Sequence, residues 1–365
     1  MNDDAFAGLP RAFADFLDDR GLVYDPLTQV DLLASALGSQ FVVFAGPSGT
    51  GKSTAARVLA DFFASPSSVI DVRPGWASVE DLVGQYSVFA REFLPGAGHA
   101  ALERLSRQNS EAAPVLILEE ANLSPLESYL GPLVTAASGL AFESFAVDSS
   151  TSPSGFGRIE IGGWPRFFAT VNIDSTAPAP APKVSGRACV VLLEPPGVEL
   201  LLQAAQDADD LAGAPQHRES GGILLGDPRA GIDAARVAGG RDLRWVTEAL
   251  RPLVELLAEH AGSGMNVVSP RDVLRARSYM EWHRALSSGA ARDGHLLGYS
   301  EAESAENALL HFVLPGLTAE QFGRAAAPLA ASATEDGLLR GRLDKLLNGA
   351  DNLFGVTPDF WASLS

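Results

Sequence analysis

The chain has 365 residues, a length that allows about two domains at roughly 150 residues each. Apolar residues make up 46%, enough to bury a sizeable core, which excludes wholesale disorder. The 27 basic and 45 acidic residues leave a net charge of −18, which argues against a stand-alone protein that coats DNA through a basic surface.

The acidic start, MNDDAFAGLPRAF, lacks the basic-then-apolar layout of a secretory signal. No apolar run reaches about 18 residues, so the expectation is a cytoplasmic protein with no membrane partner. Phe6, Leu9, Phe13, Phe16 and Leu17 recur three or four apart and predict an amphipathic helix over 3–20, ended by Gly21. A second helix over 28–37 leads into the buried strand FVVFA at 41–45. Further strand runs follow at 68–72, 115–119, 167–171 and 189–194. Cys189, the single cysteine, opens the last of these as a small core residue; alone it excludes a disulfide framework and a four-cysteine zinc site. Helical patterns at 53–64, 78–84, 99–108 and 124–138 sit between the strands, so a mainly parallel sheet covered on both faces is expected.

AFESFAV and RIEIGG, within 142–163, read as two short strands joined by a loose tip. APAPAPK at 177–183 is an extended spacer. After Pro195-Pro196 the strand signal fades, and helices are expected at 197–211, 243–261, 270–286, 301–313 and 335–347. A Gly- and Ala-rich excursion at 213–240 interrupts them. The domain reading is an N-terminal helical segment at 1–38, an α/β nucleotide-binding domain at 39–195 and a helical lid at 196–365.

Gly46-Pro47-Ser48-Gly49-Thr50-Gly51-Lys52-Ser53 fits G-x-x-x-x-G-K-[ST], directly after a strand and before a helix. In that setting the glycines let backbone N–H groups turn in around phosphates, and the helix N-terminus adds positive potential. Lys52 would neutralise the β- and γ-phosphates, Ser53 would hold Mg²⁺, and Thr54 follows in the same cradle. VLILEE supplies the acidic strand end: Glu119 toward the metal shell and Glu120 to polarise water. The first acid of such sites is usually Asp, so Glu119 is a departure that leaves a non-hydrolysing nucleotide switch as an open reading. The six histidines are scattered, with no metal-ligand spacing.

With these motifs placed, the chain resembles the AAA+ ATPases, most closely the McrB-like branch. The carrying segments are 32–53, VRPGWASVEDLVGQY at 72–86, LILEEANLSPLESYL at 116–130, FFATVNID at 167–174, KVSGRACVVLLE at 183–194 and SPRDVLRARSYM at 269–280. The resemblance implies an α/β P-loop NTPase core with strand order 5-1-4-3-2 and a C-terminal α-helical lid. It further implies ATP or GTP with Mg²⁺ as cofactors and a homo-oligomeric ring, expected to be a hexamer. Asn172 takes the place of an uncharged sensor at the fourth strand end. Arg187 takes that of a finger pointing into a neighbour's site. Arg271 takes that of a lid arginine closing over the γ-phosphate, with Arg275 and Arg277 as alternatives on the same helix. An McrC-like effector or nuclease subunit on a separate chain is the implied partner, in DNA restriction or antiviral defence, with indirect contact to DNA left open. A MoxR-like chaperone that remodels proteins is the other reading. Trp76 is either channel-facing or a core anchor. Glu127 matches the family with no role of its own, and the 142–163 hairpin lines the channel, docks a partner or is decoration.

Overall fold

The computed structural model describes residues 6, 8–108, 110–137, 141–148, 158–173, 179–195, 197, 224–227, 244–261, 267–296, 300–335, 337–350 and 360–361. Helix α1 (Leu9–Asp18) buries Leu9, Phe13, Phe16 and Leu17, the stripe its spacing predicts. Helix α2 (Pro26–Gly38) starts where the Asp25 carboxylate accepts the Thr28 N–H at 3.0 Å and Pro26 takes the first helical position. Its residues from Gln29 to Gly38 are all buried.

Strand β1 (Phe41–Gly46) runs into the phosphate loop and helix α3 (Lys52–Phe62), then strand β2 (Ser67–Asp71) and helix α4 (Val79–Val83). An antiparallel hairpin follows, β3 (Gly84–Ser87) with β4 (Glu92–Pro95), Tyr86 facing Phe93. The sequence reading had no strand here. Helix α5 (His99–Ser106) leads to β5 (Val115–Glu119). The single helix expected over 124–138 is instead a 3₁₀ turn (Ala121–Leu123) and two short helices, α6 (Leu126–Tyr129) and α7 (Gly131–Ala136). Pro125 and Pro132 account for the breaks, since neither can donate a helix hydrogen bond.

Strands β6 (Phe145–Val147) and β7 (Ile159–Ile161) form the expected hairpin, and its tip at 149–157 lies outside the described residues. Strand β8 (Arg166–Asn172), helix α8 (Pro182–Ser185) and strand β9 (Cys189–Leu192) complete the α/β part. Five helices follow: α9 (Arg244–His260), α10 (Pro270–Arg292), α11 (Glu301–Phe312), α12 (Ala319–Ser332) and α13 (Leu338–Ala350). Helix α12 was not read from the sequence: three of its five buried residues are alanines, and Pro328 lies inside it, a residue that argues against a helix. The helix expected at 197–211, and the 213–240 excursion apart from 224–227, lie outside the described residues.

The main sheet is parallel throughout, in the order β2-β5-β8-β1-β9. Counted along the five core strands this is 5-1-4-3-2 read from the other edge, the order the AAA+ resemblance implies. Strands β1 and β9 are buried at every position, and β8 at all but its last, so they read as continuous apolar runs. Helix α2 lies between the sheet and α10: a Cβ on Gly38 would sit 3.0 Å from the Tyr279 Cα. Among the described residues no helix is long and apolar enough to cross a membrane.

Candidate functional site

Strand β1 delivers the chain to the loop at a point where only glycine fits. A Cβ on Gly46 would lie 2.2 Å from the Leu193 carbonyl oxygen, where the chain leaves β9. Gly49 and Gly51 have φ of +83° and +82°, the left-handed region that turns the loop back over the head of α3. The Thr50 hydroxyl donates to the Pro47 carbonyl at 3.0 Å. The Lys52 ammonium donates to the Gly46 and Pro47 carbonyls at 2.9 and 2.6 Å, inside the loop's own curve. Tyr24 donates to the Gly51 carbonyl at 3.0 Å, and burial pushes its phenol up to about 12. With Ser48 between Pro47 and Gly49 and Thr54 in the first turn of α3, loop and helix head form a continuous anion cradle.

The acidic strand end meets the cradle from β5. The Ser53 hydroxyl donates to Glu119 Oε2 at 3.1 Å, and Arg57 donates to Glu119 Oε1 at 2.5 Å. The donors converging here are hydroxyl and carboxylate oxygens, the set a hard divalent cation such as Mg²⁺ takes, so Ser53 and Glu119 fit that ion. Glu120 is exposed and sits at φ +52°, a left-handed conformation unusual for a residue with a side chain. Its N–H donates to the buried Thr170 hydroxyl at 2.9 Å. Asn172 ends β8 directly across from Gly46. The buried Asn122 clamps its backbone: the Asn122 amide donates to the Asn172 carbonyl at 2.8 Å and accepts the Asn172 N–H at 3.2 Å. Three adjacent strand ends thus gather the phosphate loop, Glu119 with Glu120, and Asn172.

The arginines lie elsewhere. Arg187 precedes β9, whose Cys189 pairs with Val42; four strand residues, on the order of 13 Å, separate that level from Gly46. Its guanidinium donates to the Lys183 carbonyl at 2.7 Å, and burial, then the nearby Arg271 charge, push it below its ordinary value. Arg271, exposed in the first turn of α10, stands near Arg187. The structure brings Arg271 together with Arg187 and Arg275. Arg275 is committed to structure: it donates to the Gly186 carbonyl at 3.0 Å and to that of Arg187. Burial pushes it down to about 10.

Helix α13, expected from the sequence but given no part in the site there, reaches the end of β9 beside the phosphate loop. A cavity of about 430 Å³ beside the loop is bounded by Tyr24, Thr54, Glu194, Leu338, Arg342 and Lys345. Arg342 donates to the Leu192 carbonyl at 2.8 Å and pairs with Glu194, and Lys345 pairs with Glu194 at 2.6 Å. Arg57, Asn122, Thr170, Arg342 and Lys345 are thus neighbours of the site that sequence reasoning missed. Trp76 is a core anchor: its ring packs edge-on against Tyr129, 5.1 Å centroid to centroid, and its backbone N–H donates to the Ser124 hydroxyl at 3.0 Å. Cys189 is buried as expected, its thiol pushed up to about 12 by burial. Among the described residues no group of three His, Cys, Asp or Glu side chains could hold a metal ion.

The fold and this loop define an α/β P-loop protein with the AAA+ strand order and a helical C-terminal region. No family model matches the sequence, and no curated protein shows significant similarity to it. Among solved structures, the chain is similar to a putative ATPase from Cytophaga hutchinsonii ATCC 33406. The two share 13% identity over 77% of this chain and 83% of that one, with a TM-score of 0.49.

Proposed function

We propose that this protein is a nucleoside triphosphatase that forms a ring and couples ATP or GTP hydrolysis to movement of a partner. The finer reading is an McrB-like motor serving an McrC-like effector or nuclease subunit in DNA restriction or antiviral defence. One observation carries the hydrolase assignment: the Ser53 hydroxyl meets the Glu119 carboxylate at the head of the phosphate-loop helix, beside the strand ends bearing Glu120 and Asn172.

The loop N–H groups and Lys52 bind and orient the phosphates. Ser53 and Glu119 are the side chains that would hold Mg²⁺, which would supply charge neutralisation to the phosphates. The Glu120 carboxylate, held out by its backbone bond to Thr170, orients the attacking water and takes its proton. The Asn172 amide positions water or phosphate oxygen without repelling either. Arg187, with Arg271 beside it, faces away from its own loop and completes a neighbouring subunit's site.

The test mixes two variants. Lys52→Ala loses the phosphate counter-ion, and Arg187→Ala loses the finger, so each alone hydrolyses at least about a thousand-fold more slowly. Mixed rings contain some interfaces with an intact loop facing an intact finger, so hydrolysis recovers in part on mixing. No recovery, with mixed rings seen by mass measurement, overturns the trans role. Near wild-type turnover by Lys52→Ala overturns the assignment.

The second reading, a MoxR-like remodeller of proteins, is favoured by the tip between β3 and β4. Phe89 is fully exposed there and Val88 is 74% exposed, an apolar contact better suited to polypeptide than to DNA phosphates. Salt-dependent stimulation of hydrolysis by DNA supports the motor reading; stimulation by unfolded polypeptide alone supports the remodeller. Competition between ATP and GTP for binding decides the base.

A further inference from the structure

We propose that Arg57 is a positioning residue that sets the metal dependence of the phosphate site by competing with the bound cation for Glu119. This rests on the triphosphatase reading above. Helix α3 places Arg57 four residues after Ser53, so both side chains rise from one helix face toward β5. They divide the Glu119 carboxylate between them, Ser53 holding Oε2 at 3.1 Å and Arg57 holding Oε1 at 2.5 Å. Glu119 is only 16% exposed, whereas Arg57 is 55% exposed and free to swing into solvent. An aspartate in place of Glu119 would end one methylene short, so the longer acid and the arginine work as a pair.

The consequence is electrostatic. A carboxylate oxygen held by a guanidinium is less available to a cation, and the guanidinium itself repels a divalent ion a few ångströms away. At the high effective dielectric of a half-exposed site, one such charge changes metal affinity on the order of ten-fold. The site then retains its metal chiefly when the nucleotide's own phosphates add their charge, and releases it readily afterwards.

The experiment titrates Mn²⁺ into the full-length protein carrying a non-hydrolysable triphosphate and follows free Mn²⁺ by electron paramagnetic resonance. Arg57→Gln lowers the Mn²⁺ concentration at half-saturation on the order of ten-fold, while Arg57→Lys, which keeps the charge, stays near the parent. The difference between Arg57→Gln and parent shrinks in high salt, as a screened charge effect must. Binding of a fluorescent nucleotide in EDTA is the same in all three proteins. An unchanged half-saturation in Arg57→Gln, with any effect confined to thermal unfolding, reduces the pair to a surface ion pair and overturns the proposal. Weaker Mn²⁺ binding by Arg57→Gln also overturns it, since Arg57 would then be organising Glu119 for the metal. If the parent protein binds no nucleotide with or without metal, the triphosphatase reading itself fails; if it binds and the variants match it, only the competition fails.

Discussion

Glu120 joins backbone strain to its proposed chemistry in one residue. A side chain at φ +52° costs about 1–2 kcal/mol relative to the right-handed region, and the Thr170 hydroxyl bond to the Glu120 N–H holds the conformation in place. Glycine adopts that backbone without the steric cost, though it loses more freedom on folding. Glu120→Gly is therefore expected to keep or raise stability by up to about 1 kcal/mol in thermal unfolding, while hydrolysis falls away. Glu120→Gln, which keeps the strain, leaves stability unchanged, binds nucleotide and hydrolyses it slowly. A clear loss of stability in Glu120→Gly would show that its side chain serves packing. Gly46 supplies the opposite case, because an added Cβ meets backbone and not a movable side chain. Gly46→Ala must push β9 away from β1 and is expected to cost about 1–3 kcal/mol, whereas Gly131→Ala, with nothing within 4 Å, changes stability by under about 1 kcal/mol. The glycines, Lys52, Ser53 and the two acids were legible because their pattern is local. Asn122 and Thr170 were not, since each acts on a residue 50 positions away and neither type marks itself in a sequence.

At the scale of elements, what the sequence showed depended on how each element earns its burial. Four of the five core strands, β1, β5, β8 and β9, are apolar runs because the sheet is covered on both faces there, and such runs stand out in any sequence; β2, at the edge, alternates exposed and buried residues. The β3–β4 hairpin has only Gly84 fully buried, so no alternation announces it. Helix α13 was expected near 335–347, yet its role was invisible until the fold brought it against the end of β9. Arg342 is 7% exposed and fastens α13 to that strand through the Leu192 carbonyl and Glu194. Arg342→Ala strands the carbonyl and half of the Glu194 pairing, and is expected to cost about 1–3 kcal/mol and to speed hydrogen exchange in α13. Lys345, 66% exposed, pairs with the same carboxylate in solvent, so Lys345→Ala costs under about 1 kcal/mol. Equal costs for the two would mean that α13 is held by its apolar side alone.

The whole molecule is tied together by a buried polar junction between α2, β9, α10 and α11. The Asp31 carboxylate accepts from Tyr279 at 2.5 Å and from His311 Nε2 at 2.8 Å, and the other nitrogen of His311 donates to the Val190 carbonyl at 2.6 Å. Burial alone would raise the Asp31 carboxyl, but His311 and the hydrogen bonds hold it below its ordinary value. Beside it, His283 stacks on Tyr279, donates from Nδ1 to the Ser304 hydroxyl at 2.9 Å and accepts from the Asn307 amide at 3.2 Å. That bonding suits a neutral ring, and burial pushes its value down from 6.5 to about 4. Both groups bind protons more readily in the unfolded chain, so both favour unfolding as the pH falls. For His283 the stabilisation is complete above about pH 6.5 and is lost progressively from there down toward pH 4; the Asp31 contribution goes at lower pH still. Thermal midpoints are therefore expected to be flat between about pH 7 and 8 and to fall on acidification through that window, before most surface carboxylates protonate. His283→Gln removes the titration while keeping an amide that can both donate and accept. It should lower the midpoint at pH 7 through poorer packing, yet flatten the limb between pH 6.5 and 4. A limb of undiminished slope in His283→Gln would place the acid sensitivity in other groups and leave the junction a purely mechanical tie between the C-terminal helices and the sheet.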